Sequence, residues 1–244
     1  MKVYDDMANY YDLIYNDRLD AEFYAKEAKN TRGPILEVAC GTGRIFLDLL
    51  ASGMEVWGID ISKSMLDILK EKARKKNLVP NVFHANMLDF KLDKKFKLII
   101  VPYRSFLHLS NENERKQALI NFRNHLDKNG RLILHTYVPS EDEYGMTGKL
   151  HKFYAENLKT QEGRQYAVDW YLRYDQKTKT GHYEINLAID GKTHLFAMDI
   201  AYLGKDDVAN LLKSCGYKNI KCYCGFNYMP FNNNCREAIW IADC

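Results

Sequence analysis

The residues with the clearest chemical potential are Glu37-Val38-Ala39-Cys40-Gly41-Thr42-Gly43-Arg44, followed at the end of the next apolar run by Asp60. Glycines at a strand-to-helix turn let the backbone pass close to a ligand and leave amide groups free at the helix start. In an open α/β sheet the ligand lies beyond the carboxyl ends of the strands, where Asp60 is placed to accept hydrogen bonds from a ribose diol. Loop and acid together point to a nucleoside-like ligand. A dinucleotide fingerprint is excluded, because Phe46 stands where its third glycine belongs, and no Gly-x-x-x-x-Gly-Lys-Ser/Thr is present to make a P-loop. Glu37, just ahead of the loop, would also repel a pyrophosphate.

The elements that must position these residues follow from periodicity. Residues 34–39, 54–59, 81–85, 96–101 and 131–137 read as strands. Amphipathic helices at 44–52, 62–76 and about 113–126 lie between them, with Gly53 closing the first and Ser62 capping the second. A helix from Lys205 to Cys215 and strands at 217–224 and 237–242 finish the chain. The spacing predicts an α/β, Rossmann-like, mainly parallel seven-stranded sheet with helices on both faces. Residues 1–30 read as helical, with aromatic positions at Tyr10, Tyr11, Tyr15, Phe23 and Tyr24. Between the fifth and sixth strands, β-rich runs at 164–174, 181–189 and 193–202 are separated by Lys179-Thr180-Gly181 and Asp190-Gly191. The expected division is therefore a ligand-binding body of residues 1–139 and 201–244, with residues 140–200 inserted as a small antiparallel cap on the substrate side.

Composition narrows the class further. The chain has 244 residues, 46% hydrophobic and 27% charged, an ordinary globular balance. No apolar run reaches the roughly 18–20 residues of a membrane span, and the start, Met1 to Asp6, has no apolar signal region. A cytoplasmic protein without a membrane partner is expected. The net charge of +3 does not by itself imply nucleic acid. The basic residues of 63–97, among them Lys72, Arg74, Lys75 and Lys76, read as a solvated helix face and a loop. Five of the six cysteines lie in the last 30 residues, but no Cys-x-x-Cys pair suggests a metal, and none is expected. Disulfides are not expected in a cytoplasmic enzyme, so the cysteines are read as reduced thiols. Of the 17 tyrosines, only Tyr103 and Tyr137 fall within residues 25–143.

These motifs resemble those of the class I S-adenosylmethionine-dependent methyltransferases. Residues 35–44 look like the family's first motif, with Cys40 at a position often held by glycine. Glu37 suits a ligand with an amine and a sulfonium. Asp60 matches the acid that holds the ribose hydroxyls, with Ile61 and Met65 beside it. Asn86-Met87 lies where the family has Asp-Met against the adenine, and asparagine keeps an acceptor for the adenine amine. Residues 101–109 look like the small-molecule enzymes' motif after the fourth strand, and Ala8-Asn9-Tyr10-Tyr11-Asp12 is similar to their N-terminal segment, whose tyrosine reaches the cofactor.

The resemblance implies S-adenosylmethionine as cofactor and S-adenosylhomocysteine as product. The cofactor residues it implies are Tyr11, Glu37, Ala39, Gly41, Gly43, Asp60, Ile61, Met65, Asn86, Met87 and Pro102. Tyr15, Tyr103, Arg104 and Trp170 are the acceptor candidates. Methyl transfer from a sulfonium is an in-line displacement, so the main task is alignment and exclusion of water. A general base is needed only for a protonated acceptor. His108, His135 and Tyr137 lie near the strand exits and are the catalytic candidates, although both histidines also read as packed, hydrogen-bonded residues. The expected function is methyl transfer to a small-molecule acceptor. RNA methylation is the alternative, less favoured because residues 101–109 lack the Asn/Asp-Pro-Pro-Tyr/Phe arrangement of base-modifying enzymes. A non-catalytic S-adenosylmethionine sensor is another.

Overall fold

The computed structural model describes residues 2–160 and 162–244. Eight strands form one sheet in the order β11-β10-β12-β5-β4-β1-β2-β3. The parallel part is β1 (Ile35–Val38), β2 (Val56–Asp60), β3 (Asn81–His84), β4 (Phe96–Val101) and β5 (Leu126–Tyr137). Its edge is antiparallel: β12 (Glu237–Asp243) runs against β5, β10 (Lys218–Cys224) against β12, and the two-residue β11 (Met229–Pro230) against β10. β11 makes the sheet eight-stranded where seven strands are read from the sequence. Two residues are too short for any periodic pattern.

Every residue of β1 is buried, as the central strand of a sheet covered on both faces requires. One face packs Phe106, Leu119, Phe122 and Trp240, and the other packs Phe46, Leu66, Leu69 and Ile133. The covering helices start where short polar side chains accept orphan amides. Ser62 accepts from the Met65 amide ahead of α5 (Lys63–Lys75), and Asn111 accepts from Glu114 ahead of α6 (Glu112–His125). α4 is shorter than the sequence suggests, Phe46–Ala51, because Gly41 and Gly43 keep the preceding turn in the left-handed region. α8 (Lys205–Ser214) precedes β10.

A second, antiparallel sheet lies between β5 and α8. Its strands are β6 (His151–Lys159), β7 (Gln165–Asp175), β8 (Thr180–Ile189) and β9 (Lys192–Ala201), in that order. β7 and β8 largely alternate buried and less buried residues, and Asp190 and Gly191 both take positive φ in a two-residue hairpin loop. β6 has no counterpart among the expected runs: it is an edge strand, almost wholly exposed, and carries no alternation to read. α7 (Glu141–Gly145) leads into this sheet with a Ser140/Glu143 capping box.

The N-terminal region breaks into α1 (Lys2–Met7), a 3-10 turn, α2 (Tyr11–Ile14) and α3 (Ala21–Thr31). Met7, fully buried, packs with Tyr166, Leu172, Ile185 and Phe196 of the second sheet. The same segment reaches back to the first sheet through carboxylates. Asp5 accepts from the Ser62 hydroxyl at 2.6 Å, and Asp12 from Thr42 at 2.6 Å and from Lys72.

One expectation is corrected. Cys224 and Cys235 form a disulfide, their Cα atoms 5.4 Å apart. The return from β10 into β12 brings them together, which spacing along the chain does not reveal. Cys40, Cys215, Cys222 and Cys244 are free thiols.

Candidate functional site

A cavity of about 280 Å³ opens beyond the carboxyl ends of β1, β2 and β4, roofed by α1, α2 and the second sheet. Its floor is largely backbone. Asp60, at the tip of β2 and buried, accepts the Gly41 amide on one oxygen and the Ser62 amide on the other, each at 2.8 Å. Burial raises its pKa, and those amide hydrogen bonds work against the rise. Gly41 has φ +54, and a Cβ there would meet no atom within 4 Å, so the floor is open above it. Gly43 serves packing instead: at φ +87, its Cβ would come within 2.8 Å of Leu47.

Strain gathers at these strand exits. Ala39 after β1 has φ 58, and Tyr103 and Arg104 after β4 have φ 52 and 65. Left-handed backbone at non-glycine residues costs on the order of 1–3 kcal/mol each and persists where surrounding structure holds it. At Tyr103 the holding contacts are visible: its hydroxyl donates to Asp17 at 2.8 Å, and the Arg44 guanidinium lies 4.7 Å from its ring centroid. Arg44 itself pairs with the buried Asp20.

The opposite wall is aromatic. Tyr15 packs edge-on against Tyr103 and Trp170, with centroids 5.3 and 5.6 Å away, and lies 4.7 Å from Tyr11. Tyr4 of α1 donates to His108 Nε2 at 2.5 Å, and the same imidazole hydrogen-bonds the backbone of Asp199 on β9. Burial pushes His108 down to about 4, so the ring is neutral and accepts at Nε2. Arg104 pairs with Glu237 of β12 through Nε and Nη2 and stacks over Tyr137, 4.3 Å from its centroid. Tyr137 in turn donates to Glu143.

Of the residues singled out from sequence, Tyr11, Ala39, Gly41, Asp60, Ile61, Met65, Asn86 and Met87 line the cavity, as do Tyr15, Tyr103, Arg104 and Trp170. His108 and Tyr137 line it too. Glu37, Gly43, Pro102 and His135 stand behind the wall. Asn86 already accepts the Leu88 amide at 3.0 Å on its side-chain oxygen. His135 is buried, with Nε2 2.6 Å from Glu237 and Nδ1 without a partner among the described residues. Glu37 is also buried, and its Oε2 is likewise unpartnered. Burial holds its carboxyl well above the usual range, opposed by Arg44.

Residues 35–130 match the family described as a methyltransferase domain. The chain is 26% identical over 212 residues to a glycine/sarcosine N-methyltransferase of Aphanothece halophytica, covering 85% of this chain and 75% of that one. The fold superposes on an S-adenosylmethionine-dependent methyltransferase from Clostridium acetobutylicum with a TM-score of 0.80 at 19% identity, covering 98% of both chains. The chain is an S-adenosylmethionine-dependent methyltransferase with the class I fold. This methyltransferase is also 30% identical over 139 residues to a dTDP-3-amino-3,4,6-trideoxy-α-D-glucopyranose N,N-dimethyltransferase of Streptomyces venezuelae. That match covers 53% of this chain, which spans little more than half (56%) of the relative's length.

Several residues of the methyltransferase's cavity were not legible as such. Tyr4, Tyr183 and Met198 line it, and Glu143 and Glu237 brace its polar end. Asp5 and Asp12 pin its roof. For these two, the acidic start of a helix whose aromatic face recurs was the available signal. For Glu143 and Glu237 there was none, because their partners lie on other elements.

Proposed function

We propose that this methyltransferase acts on the amino group of a small, polar molecule, with residues 1–139 and 201–244 as the cofactor-binding body and residues 140–200 as the acceptor cap. The observation that carries this reading is the tyrosine-walled chamber facing the Gly41–Asp60 floor. Aromatic faces with hydroxyl edges suit an amine that must be dehydrated yet hydrogen-bonded. Two relatives that match the chain are named as N-methyltransferases, one of glycine and sarcosine and one of an amino sugar. An RNA acceptor fits less well, since the basic run on α5 is partly neutralised in place, Lys72 by Asp12 and Lys75 by Glu71.

The residues fit the cofactor. Glu37 holds a buried carboxylate oxygen with no protein partner, the group that an α-ammonium would satisfy. Asp60 keeps a free lone pair on each oxygen for ribose hydroxyls, and Asn86 and Met87 would flank the adenine. When bound, S-adenosylmethionine supplies a methyl group on an activated sulfonium. The chain's own work is then positional. Tyr11 and Tyr15 would shield the reacting end from water, and Trp170 and Tyr103 would hold the acceptor in line. Arg104, braced by Glu237, keeps Nη1 for a carboxylate or hydroxyl of the acceptor.

The test is turnover. S-Adenosylmethionine is incubated with the protein and glycine, sarcosine or aminodeoxy sugars, and S-adenosylhomocysteine is measured. Amine-dependent product, with the methyl on nitrogen by mass spectrometry, is expected. Tight binding of S-adenosylhomocysteine without turnover on any amine would instead favour a sensor.

A further inference from the structure

We propose that Glu143 is the proton acceptor for the methyl-accepting amine, working through the hydroxyl of Tyr137. This rests on the amine reading above. An aliphatic amine arrives largely protonated at neutral pH, and its nitrogen has no electron pair for attack until a proton leaves.

The other ionisable groups at the cavity are committed. His108 is too weak a base at about 4, and its Nε2 is taken by Tyr4. Both oxygens of Asp60 hold amides. Burial opposes the charge on Glu237, but the hydrogen bond from His135 and the charge of Arg104 outweigh it and pull that carboxyl down to about 2. Glu114 is held by Ser110 at 2.9 and 3.0 Å.

Glu143 is different. It is buried at 7% exposure, and its hydrogen-bond partners are neutral. The Tyr137 hydroxyl lies 2.8 and 2.7 Å from its two oxygens, and the Ser140 amide donates at 2.7 Å. The Tyr183 hydroxyl, bonded to Tyr202 at 2.7 Å, faces it from β8. Tyr144 adjoins it in α7, and Arg104 and Asp207 are the charges nearest this cluster. Among the described residues no Lys, Arg or His forms an ion pair with it. Tyr137 and Tyr183 line the cavity while Glu143 stands behind them, so a proton reaches the carboxylate through a phenol, and Tyr137 is the one bonded to both its oxygens.

The step balances. The acceptor's N–H bond breaks as an O–H bond forms on Tyr137, whose own proton moves to a Glu143 oxygen. The electron pair stays on nitrogen and then takes the methyl group, with the C–S bond pair remaining on sulfur.

Glu143→Gln keeps the hydrogen bond from Tyr137 and the cap on Ser140 but cannot accept the proton. Rates are measured with an amine that the wild type methylates, at pH 7 and above that amine's own pKa. At pH 7, kcat/KM should fall on the order of 10²-fold, and the gap should close to about threefold where the free base predominates. Affinity of the S-adenosylhomocysteine complex for the same amine, by calorimetry at pH 7, should fall about tenfold as a buried negative charge is lost. An equal loss at both pH values, or a wild-type rate at pH 7, would overturn the proposal. If Glu143→Gln does not fold, Tyr137→Phe carries the same test with the same expected pH dependence. Failure is separable: a wild type that methylates no amine removes the functional reading and the relay with it. An active wild type matched by Glu143→Gln removes the relay alone.

Discussion

The two sides of the cavity are built differently. The cofactor side is made by backbone: two amides on one carboxylate, an open glycine, and strand ends drawn from a short stretch of chain. The acceptor side is made by side chains: α1 and α2, the exit of β4, the exit of β5 and two strands of the cap supply one tyrosine or tryptophan after another. A backbone site is fixed by the fold and varies little with sequence. A side-chain site can be rebuilt by single substitutions while the sheet stays intact. The two sides should therefore respond separately to mutation.

The largest expected effect is on the cofactor side. Asp60→Ala leaves the Gly41 and Ser62 amides unpaired beneath the ligand, and affinity for S-adenosylhomocysteine should fall about 100-fold or more, near 3 kcal/mol, by calorimetry. Retained affinity would break the comparison at its firmer half. The seam between the sides comes next. His108 is held at about 4 against an ordinary 6.5, so its contribution to stability is complete above pH 6.5 and is lost as pH falls towards 4. Urea midpoints should show about 3 kcal/mol lost across that window, and His108→Asn should flatten that slope. At the outer edge of the sheet, Cys224→Ser with Cys235→Ser opens a loop of sequence separation 11 and should cost about 2–3 kcal/mol in chemical denaturation. The smallest effect is on the acceptor side. Arg104→Lys loses the two-pronged pairing with Glu237, so the acceptor KM should rise about tenfold while cofactor affinity is unchanged.

The same division explains what the sequence disclosed. The cofactor loop, Asp60, Asn86 and Met87 are legible because strand, turn and acid recur at short, fixed intervals. The parallel sheet is legible for the same reason. Glu143 and Glu237 were not, because their meaning depends on Tyr137 and Arg104, which only the folded chain brings near. β6 escaped notice because an exposed edge strand has no buried face to impose alternation. The cystine escaped because the return from β10 into β12, not sequence spacing, closes it. Tyr183 bonds to Tyr202 within the cap, yet its ring also forms part of the wall.

The central claim is that the backbone-built side holds the cofactor independently of the side-chain wall. The most direct measurement is calorimetric titration of S-adenosylhomocysteine into a Trp170→Ala, Tyr183→Phe variant, set beside its kcat/KM for an amine that the wild type methylates. The account predicts a cofactor Kd within about twofold of wild type and a kcat/KM reduced at least about tenfold, near 1.4 kcal/mol. A cofactor affinity that falls as far as kcat/KM would contradict it.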